Sequence, residues 1–248
     1  MRMIVIVILV FVACSVPPLS LDGKQCPCAP GYTCDQLTNI CLASDGDGGI
    51  IDSRLAEQCL GAGTGAELYR YTGNFAATWA SEDTTWMGTA QITQSDKGKQ
   101  DSFAFPTGSI PNDYRVISTL KQTTGGPGTP SLGIVLRAQL TLGEQQRYAC
   151  SWTPKNGELR IQVYSSGGSA TTLISALVDG ASETAQVTME ARVVTEATVP
   201  KLSCCLREHT GARLMDFAHT TGAVTTGVPG LQTDRMAAAF GTFVVLGP

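Results

Sequence analysis

The sequence predicts an all-β protein, an antiparallel sandwich or barrel, preceded by a small disulfide-rich module. Short segments of alternating apolar and polar residues recur along most of the chain, and turn residues separate them about every 8 to 12 residues. No long amphipathic helices alternate with these segments, so a parallel α/β sheet is not expected. The small module is predicted because four cysteines crowd into one short stretch.

Residues 1–13 predict a secretory signal. A basic residue, Arg2, precedes an apolar core over residues 4–12, which is too short to cross a bilayer because a span needs about 20 apolar residues. The sequence Phe-Val-Ala-Cys that ends at Cys14 resembles a bacterial lipobox. We therefore expect acylation of Cys14 and a lipid-anchored tether over residues 14–25. The alternative is ordinary signal cleavage, which would leave a soluble secreted protein.

This interpretation predicts localisation at the outer membrane or cell surface. Ser15 comes directly after Cys14, with no acidic residue beside the cysteine, and this favours sorting to the outer membrane. The expected contact with the membrane is through the lipid, since each buried methylene contributes about 0.8 kcal/mol. The sequence contains no further apolar run long enough for a transmembrane helix.

The number of cysteines supports export. The chain has nine, and assigning Cys14 to the lipid leaves an even set that can pair completely in an oxidising compartment. The candidates for disulfide bonds are Cys26, Cys28, Cys34, Cys41, Cys59, Cys150, Cys204 and Cys205.

Residues 26–43 form the predicted cysteine-rich module. So few residues cannot bury a core, and covalent links must replace it. Its four cysteines allow three connectivities, and the sequence does not choose among them. A zinc site is the alternative, but zinc modules prefer paired Cys-x2-Cys knuckles, which are missing here. We expect two disulfides.

Residues 44–60 are predicted to be a glycine-rich linker. The run Asp-Gly-Asp-Gly-Gly at residues 45–49 superficially resembles a calcium loop. An EF-hand needs further oxygen ligands and a terminal bidentate glutamate, and neither is in place.

The main domain is predicted to run over residues 61–248, and its strands are bounded by glycine, proline and asparagine turns. The predicted strands are Leu68–Thr72, Phe75–Trp79, Thr85–Thr93, Ser102–Phe105, Tyr114–Lys121, Leu132–Ala138, Arg147–Trp152, Leu159–Tyr164, Thr171–Ala176, Ala185–Val194, Lys201–Leu206, Arg213–His219, Gly230–Thr233 and Ala238–Leu246.

Four passages of this domain carry a family resemblance. They are Phe75-x3-Trp79 with Trp86-x-Gly88-x-Ala90; Asn112–Val116; Gly133–Ala138 with Tyr148-x-Cys150-x-Trp152; and Thr221-Gly222, Gly227–Leu231 and Ala239–Val245. Together they resemble the concanavalin A-like, laminin-G-like jelly roll over roughly residues 68 to 248. The resemblance implies an antiparallel jelly-roll β-sandwich. Its motifs are structural and identify a fold more than a function.

The aromatic residues of these passages are expected in the core, because aromatic side chains bury large apolar areas. They are Phe75, Trp79, Trp86, Trp152 and Phe243. A sugar-binding site would instead place an exposed tryptophan on the concave sheet.

Glycosidases on this fold use a pair of carboxylates on one face of a strand, and the family's Glu-x-Asp-x-x-Glu type of motif is missing. Glu82 and Asp83 are adjacent and would face opposite sides. Glu183 is too far from Glu190, and neither Glu190 nor Glu196 has a clear carboxylate partner. The sequence therefore favours a protein that is not an enzyme.

The other candidates for chemistry are weak. His209 and His219 lack a nearby serine in a nucleophile elbow and are expected to be solvated loop residues. Cys204 and Cys205 should point to opposite faces of a strand and bond to different partners, of which Cys59 and Cys150 are available. A vicinal disulfide is the alternative.

Calcium is implied only by the resemblance, since many laminin-G-like sandwiches hold one ion at a rim. Asp113 and Asp179 lie on plausible loops for it.

The composition limits the classes of binding partner that we expect. The net charge of −4 and the lack of a basic stripe argue against nucleic acid. We expect a non-catalytic surface or adhesion lipoprotein that recognises carbohydrate or a surface protein. A glycan-acting hydrolase and a structural envelope protein are the alternatives.

Overall fold

A computed structural model describes residues 32–35, 40–43, 65–81, 83–139, 146–165, 168–178, 183, 185–207, 212–219 and 224–248. The chain divides into two compact units, Met1–Asp52 and Ser53–Pro248. The predicted signal, tether and linker lie outside the described residues, so those three assignments stay predictions. No helix in the described part is both long and apolar enough to cross a bilayer.

The first unit contains one antiparallel pair, β1 (Tyr32–Asp35) and β2 (Ile40–Ala43). In this pair Cys34 stands directly opposite Cys41. Cys26 and Cys28 lie outside the described residues, and the connectivity of the module stays a prediction.

The second unit is a sandwich of two antiparallel sheets, as the sequence predicts. Its strands are β3 (Glu67–Arg70), β4 (Trp79–Ser81), β5 (Trp86–Gly88), β6 (Ile92–Gln94), β7 (Ser102–Pro106), β8 (Tyr114–Gly125), β9 (Ser131–Ala138), β10 (Arg147–Thr153), β11 (Glu158–Tyr164), β12 (Ala170–Leu177), β13 (Gln186–Glu196), β14 (Val199–Arg207), β15 (Ala212–Ala218), β16 (Val228–Asp234) and β17 (Met236–Leu246). A one-turn helix, α1 (Phe75–Thr78), and a 3₁₀ turn (Pro154–Asn156) complete it.

The strand order explains how distant segments meet. The seven-stranded sheet runs β12-β11-β10-β9-β16-β7-β4, and the eight-stranded sheet runs β15-β14-β13-β8-β17-β6-β5, with β3 paired to β17. Two meanders, β9–β12 and β13–β15, occupy different sheets. The last two strands then enter the sheets separately, β16 between β9 and β7 and β17 between β8 and β6.

Two predicted strands differ from the structure. Over Phe75–Trp79 the chain forms α1 and becomes extended only at Trp79. Phe75 and Trp79 are four residues apart, which places their rings on one side of a helical turn. The two rings stack at a centroid distance of 5.8 Å. The predicted strand Thr85–Thr93 is instead a short antiparallel pair, β5 and β6.

The core lies between the two sheets and contains all five predicted aromatic residues. The most exposed of them, Phe75, is only 7% exposed. Trp79 meets Phe243 edge-on at 4.8 Å between ring centroids. The Trp86 indole N–H is also satisfied, since it donates to Ser102 Oγ at 2.6 Å. Buried aromatic N–H groups usually need such a partner.

A disulfide crosses this core. Cys150 on β10 bonds to Cys204 on β14, with the two Cα atoms 5.7 Å apart and both residues buried. The alternative of a vicinal disulfide is therefore wrong. Cys205 points to the other face of β14 and is also disulfide-bonded. Its partner is outside the described residues, and Cys59 stays the predicted one.

The outer face of the eight-stranded sheet holds a buried carboxyl group. Glu190 on β13 is 6% exposed, and its Oε1 lies 3.4 Å from Nη1 of Arg115 on β8. Burial raises the pKa of Glu190 to about 7, although the Arg115 charge opposes this shift. The ionised form is therefore costly in the folded protein.

Removal of the cross-sheet disulfide should destabilise the sandwich. The bond closes a long loop, with a sequence separation of 54, so the double variant Cys150→Ala/Cys204→Ala should lose about 4 kcal/mol of unfolding free energy. Urea unfolding followed by tryptophan fluorescence, without reductant, measures the loss. Equal midpoints and slopes for variant and parent would show that the sheets are held without this bond.

Glu190 should make stability depend on pH. Because its pKa is higher in the folded state than the unfolded value of 4.5, the folded state holds a proton that the unfolded state releases as pH rises from 4.5 to 7. Stability from this group is therefore full below pH 4.5 and declines up to about pH 7. Relative to the parent, Glu190→Gln should gain about 3 kcal/mol between pH 4.5 and pH 8.

Urea titrations of parent and variant at several pH values test this prediction. Altering the contact with Arg115 also changes stability, but that contribution is taken as the same at every pH and so drops out of the change with pH. Glu196→Gln, at an exposed position of the same strand, is the matched control. A difference between Glu190→Gln and parent that stays constant over this range would contradict the assignment.

Candidate functional site

The outer face of the seven-stranded sheet carries buried polar and aromatic side chains. Alternation on β10 sends Tyr148, Cys150 and Trp152 into the core, so Arg147 and Ser151 point outward. Outward residues of three other strands join them. We call this set the arginine–aromatic cluster, and its members are Phe103 on β7, Arg147 and Ser151 on β10, Tyr164 on β11 and Gln232 on β16.

Arg147 is the centre of the cluster and is fully buried. The centre of its guanidinium lies 3.8 Å from the centroid of the Tyr164 ring and 4.8 Å from that of Phe103. It forms an ion pair with Asp101, and its Nε donates to Gln232 Oε1 at 3.5 Å. A desolvated cation between ring faces contributes about 2 kcal/mol or more. Arg147 therefore links four strands across this face.

Gln232 completes the network through a gap in the sheet. Its Nε2 donates to Ser151 Oγ at 2.8 Å and reaches the Tyr164 hydroxyl at 3.5 Å. Between Gln232 and Ser151 in the same row stands Gly133 on β9, which has no side chain to block the bond. A Cβ at Gly133 would also collide with the Cys150 carbonyl oxygen. Glycine is therefore required at this position.

Partly exposed carboxylates surround the cluster. Each is paired with an arginine: Asp101 with the buried Arg147, Glu158 with Arg160, and Asp234 with Arg235. The hydrogen bond from Arg160 holds the pKa of Glu158 below its usual range. An ionised, paired carboxylate accepts hydrogen bonds but is a poor general acid.

One amide beside the cluster is uncommitted. Gln162 points outward on β11 between Arg160 and Tyr164, and it is 9% exposed. Its side chain forms no hydrogen bond with any residue that the structure describes, and its cross-strand neighbours, Ala149 and Thr172, are small. A nearly buried amide with free donor and acceptor atoms is suited to a polar ligand.

The structure gives Asp113 a different role from the calcium ligand that the resemblance implied. Asp113 Oδ1 accepts hydrogen bonds from Arg137 Nη2 at 2.9 Å and from the Thr195 backbone N–H at 3.1 Å. Arg137 is fully buried, so the chain itself supplies the cation for this carboxylate. Asp179 lies outside the described residues, and within them no three His, Cys, Asp or Glu residues are grouped to hold a metal ion.

His219 follows β15 and is half-buried, not solvated as expected. Its Nδ1 lies 2.8 Å from the Tyr148 hydroxyl, the two rings meet edge-on, and burial lowers the histidine pKa. Tyr148 also accepts a hydrogen bond from the Val224 backbone N–H. His219 is therefore a packing residue. His209 and Glu82 lie outside the described residues.

Asp83 also has a structural role. Burial disfavours its ionisation, but hydrogen bonds from Ser102 and Thr85 outweigh this and lower its pKa. Ser102 is the acceptor for the Trp86 indole, so Asp83 anchors a hydrogen-bond chain that enters the core.

The sequence alone does not reveal the arginine–aromatic cluster. Its members are spread from residue 103 to residue 232, and no short motif joins them. The available signal was an arginine, Arg147, at the start of a strand whose other outward residues are the smaller Ala149, Ser151 and Thr153. The three tryptophans lie in the core as predicted, and the large hydrophobic residues that are exposed in the described part are Leu68, Met87 and Leu177. The exposed tryptophan that a sugar-binding site would place on the concave sheet is therefore not seen among the described residues.

Several solved structures share this architecture at low sequence identity. A carbohydrate-binding module, CBM66 from Bacillus subtilis, matches with a TM-score of 0.54 and 17% identity, covering 68% of this chain and 96% of that one. A legume lectin-like domain from Entamoeba histolytica matches with a TM-score of 0.50 and 4% identity, covering 74% and 98%. Lectin I from Ulex europaeus, in complex with the methyl glycoside of α-L-fucose, matches with a TM-score of 0.50 and 7% identity, covering 71% and 95%.

No protein-family model matches the chain, and no curated protein matches it. Identities this low show the fold alone. The second unit has the concanavalin A-like jelly-roll fold, as the sequence resemblance predicted.

Proposed function

We propose that this protein is a non-catalytic carbohydrate-binding protein that binds glycan on the outer face of the seven-stranded sheet, beside the arginine–aromatic cluster. The observation that carries the proposal is the free amide of Gln162, which lies between a fixed aromatic ring and a fixed arginine. The names of the similar structures support it, since they are a carbohydrate-binding module, a lectin-like domain and a lectin bound to a fucoside.

The chemistry of the face suits sugar hydroxyls, which both donate and accept hydrogen bonds. The Gln162 amide offers both functions, Glu158 offers acceptor oxygens, and Arg160 offers donors. The Tyr164 ring is buried and stacked on Arg147, so it is a fixed apolar neighbour of the Gln162 amide. Because Arg147 and Gln232 already hold Tyr164, this neighbour of Gln162 loses little side-chain freedom on binding, which favours affinity.

The same geometry disfavours the hydrolase alternative. A glycosidase needs one carboxyl with a raised pKa and a second carboxylate nearby. On this face the carboxylates are paired with arginines. Glu190 has a raised pKa, but it lies on the other sheet beside Arg115, with no second carboxylate next to it among the described residues.

We also propose that the protein is exported and anchored to the outer membrane or cell surface through acylated Cys14. The support is the sequence of residues 1–14 and the cross-sheet disulfide, which is typical of an oxidising compartment. Such an anchor would present the glycan-binding face as an adhesin outside the cell.

Glycan binding should depend on Gln162. On a glycan array, the purified full chain with intact disulfides should select a subset of glycans, and Gln162→Ala should weaken binding to them about tenfold, since it removes a donor and an acceptor. Its thermal midpoint should match that of the parent, because the amide has no partner among the described residues.

Arg192→Ala, at an exposed position of the other sheet, is the control and should bind as the parent does. The proposal fails if the array stays silent, or if Gln162→Ala binds as tightly as the parent.

Acylation should depend on Cys14. When the full chain is expressed in a Gram-negative host with labelled palmitate, the parent should carry the label and fractionate with membranes, because acyl chains insert into the bilayer. Cys14→Ala should lose both properties, while Ser15→Ala keeps the label. An unlabelled parent in the soluble fraction would instead establish the secreted alternative.

A further inference from the structure

The outer face of the eight-stranded sheet contains a polar depression at β17. Two adjoining cavities lie there, of about 480 and 300 Å³, and they share Gln91, Thr119, Gln186 and Gly241. Ala239 and Gly241 on β17 form the floor of the depression, and the floor is low because these two residues have small side chains or none. We call the two cavities together the β17 trough.

A β-bulge shapes the trough. Gly241 and Thr242 on β17 stand opposite a single residue, Thr119 on β8, because the register shifts between Phe240 and Phe243. The Thr242 backbone N–H donates to Thr119 Oγ1 at 3.0 Å, and a Cβ at Gly241 would collide with that hydroxyl. The bulge thus fixes the threonine and keeps the floor open. Bulges often re-aim side chains beside functional sites.

The polar side chains on the walls are uncommitted. Gln91, Lys121 and Gln186 are exposed, and none of them forms a side-chain hydrogen bond or ion pair with a residue that the structure describes. This differs from the arginine–aromatic cluster, where most polar groups satisfy one another. The two amides and the ammonium group are therefore available to a ligand.

The charge of the trough is positive. Its described lining contains two cations, Lys121 and Arg70, and no Asp or Glu. Arg70 pairs with Glu67, which leaves Lys121 as the cation free to meet a ligand charge. The trough therefore carries a local surplus of positive charge, although the whole chain has a net charge of −4. A local positive charge favours the binding of an anionic group.

We propose that the β17 trough is a second saccharide site and that it takes a hexuronic acid residue of an acidic glycan. The Gln91 and Gln186 amides would bind sugar hydroxyls, and the Lys121 ammonium would pair with the uronate carboxylate. The cavity volumes lie within the range of small-ligand sites. The inference stands apart from the site beside Gln162, because that site lies on the other sheet. Two sites on one domain would raise avidity for a polymeric glycan.

Calorimetry on the purified full chain with intact disulfides tests the proposal. The probes are trisaccharides of galacturonate, mannuronate, guluronate and glucuronate, with a neutral galactose trisaccharide for comparison. At least one acidic trisaccharide should bind about tenfold more tightly than the neutral one, and acetate at equal concentration should not compete with it.

The variants separate this site from the other one. Lys121→Met should weaken acidic binding about tenfold and abolish the preference for acid, and Gln186→Ala should weaken acidic binding too. Lys155→Met, an exposed lysine in the turn after β10, is the matched control and should bind as the parent does. Gln162→Ala should also leave acidic binding unchanged.

Three results would overturn the proposal. They are no binding of any acidic trisaccharide, unchanged acidic binding by Lys121→Met, and loss of acidic binding in Gln162→Ala. The last would assign the acidic ligand to the seven-stranded sheet. Conversely, glycan binding that Gln162→Ala spares and Lys121→Met removes would contradict the proposed function and support the β17 trough.

Discussion

Strand β10 is buried on both of its faces, and the two sides are satisfied by different chemistry. Toward the other sheet it presents Tyr148, Cys150 and Trp152, which are held by apolar packing, one disulfide and hydrogen bonds of the Tyr148 hydroxyl with His219 and Val224. Toward the outside it presents Arg147 and Ser151, which would be costly to bury without partners. Contacts within the arginine–aromatic cluster offset this desolvation cost. Strands β7, β11 and β16 contribute two rings and an amide to one guanidinium, and Asp101, directly before β7, contributes a carboxylate.

This arrangement makes the seven-stranded sheet a preorganised surface. Arg147 holds groups from β7, β10, β11 and β16 in one network, and Gly133 provides the gap that lets Gln232 reach Ser151. Groups at the edge of the network keep free hydrogen-bonding capacity without needing to be ordered by a ligand. Rigid support with a few free polar groups is the usual composition of a recognition site, and it does not provide the paired acid and base of a hydrolase.

The outer face of the eight-stranded sheet combines two opposite conditions. Around Glu190 the face is buried, and the carboxyl has lost enough hydration to raise its pKa. Around β17 the face is open, and the polar groups are solvated and unpaired with one another. The difference follows from side-chain size on the central strands, since alanine and glycine on β17 cannot cover their neighbours. The outer face of the eight-stranded sheet thus has one part closed around the Glu190–Arg115 pair and one part lined by free amides and a lysine.

The sequence by itself determined the all-β class, the sandwich and the core aromatic residues, because alternation along a strand is a local property that reports which side is buried. It was wrong over Phe75–Thr78, where aromatic spacing fits a helical turn as well as a strand. It named Cys150 and Cys59 as available partners for Cys204 and Cys205, but only the fold, by setting β14 across from β10, placed Cys150 against Cys204. Only the tertiary structure decided the candidate sites. Asp113 became the partner of Arg137, and Arg147 met Phe103 and Tyr164, through contacts between strands distant in the chain. A local pattern states that Arg147 points outward, but its burial depends on which strands the sheet order sets beside it.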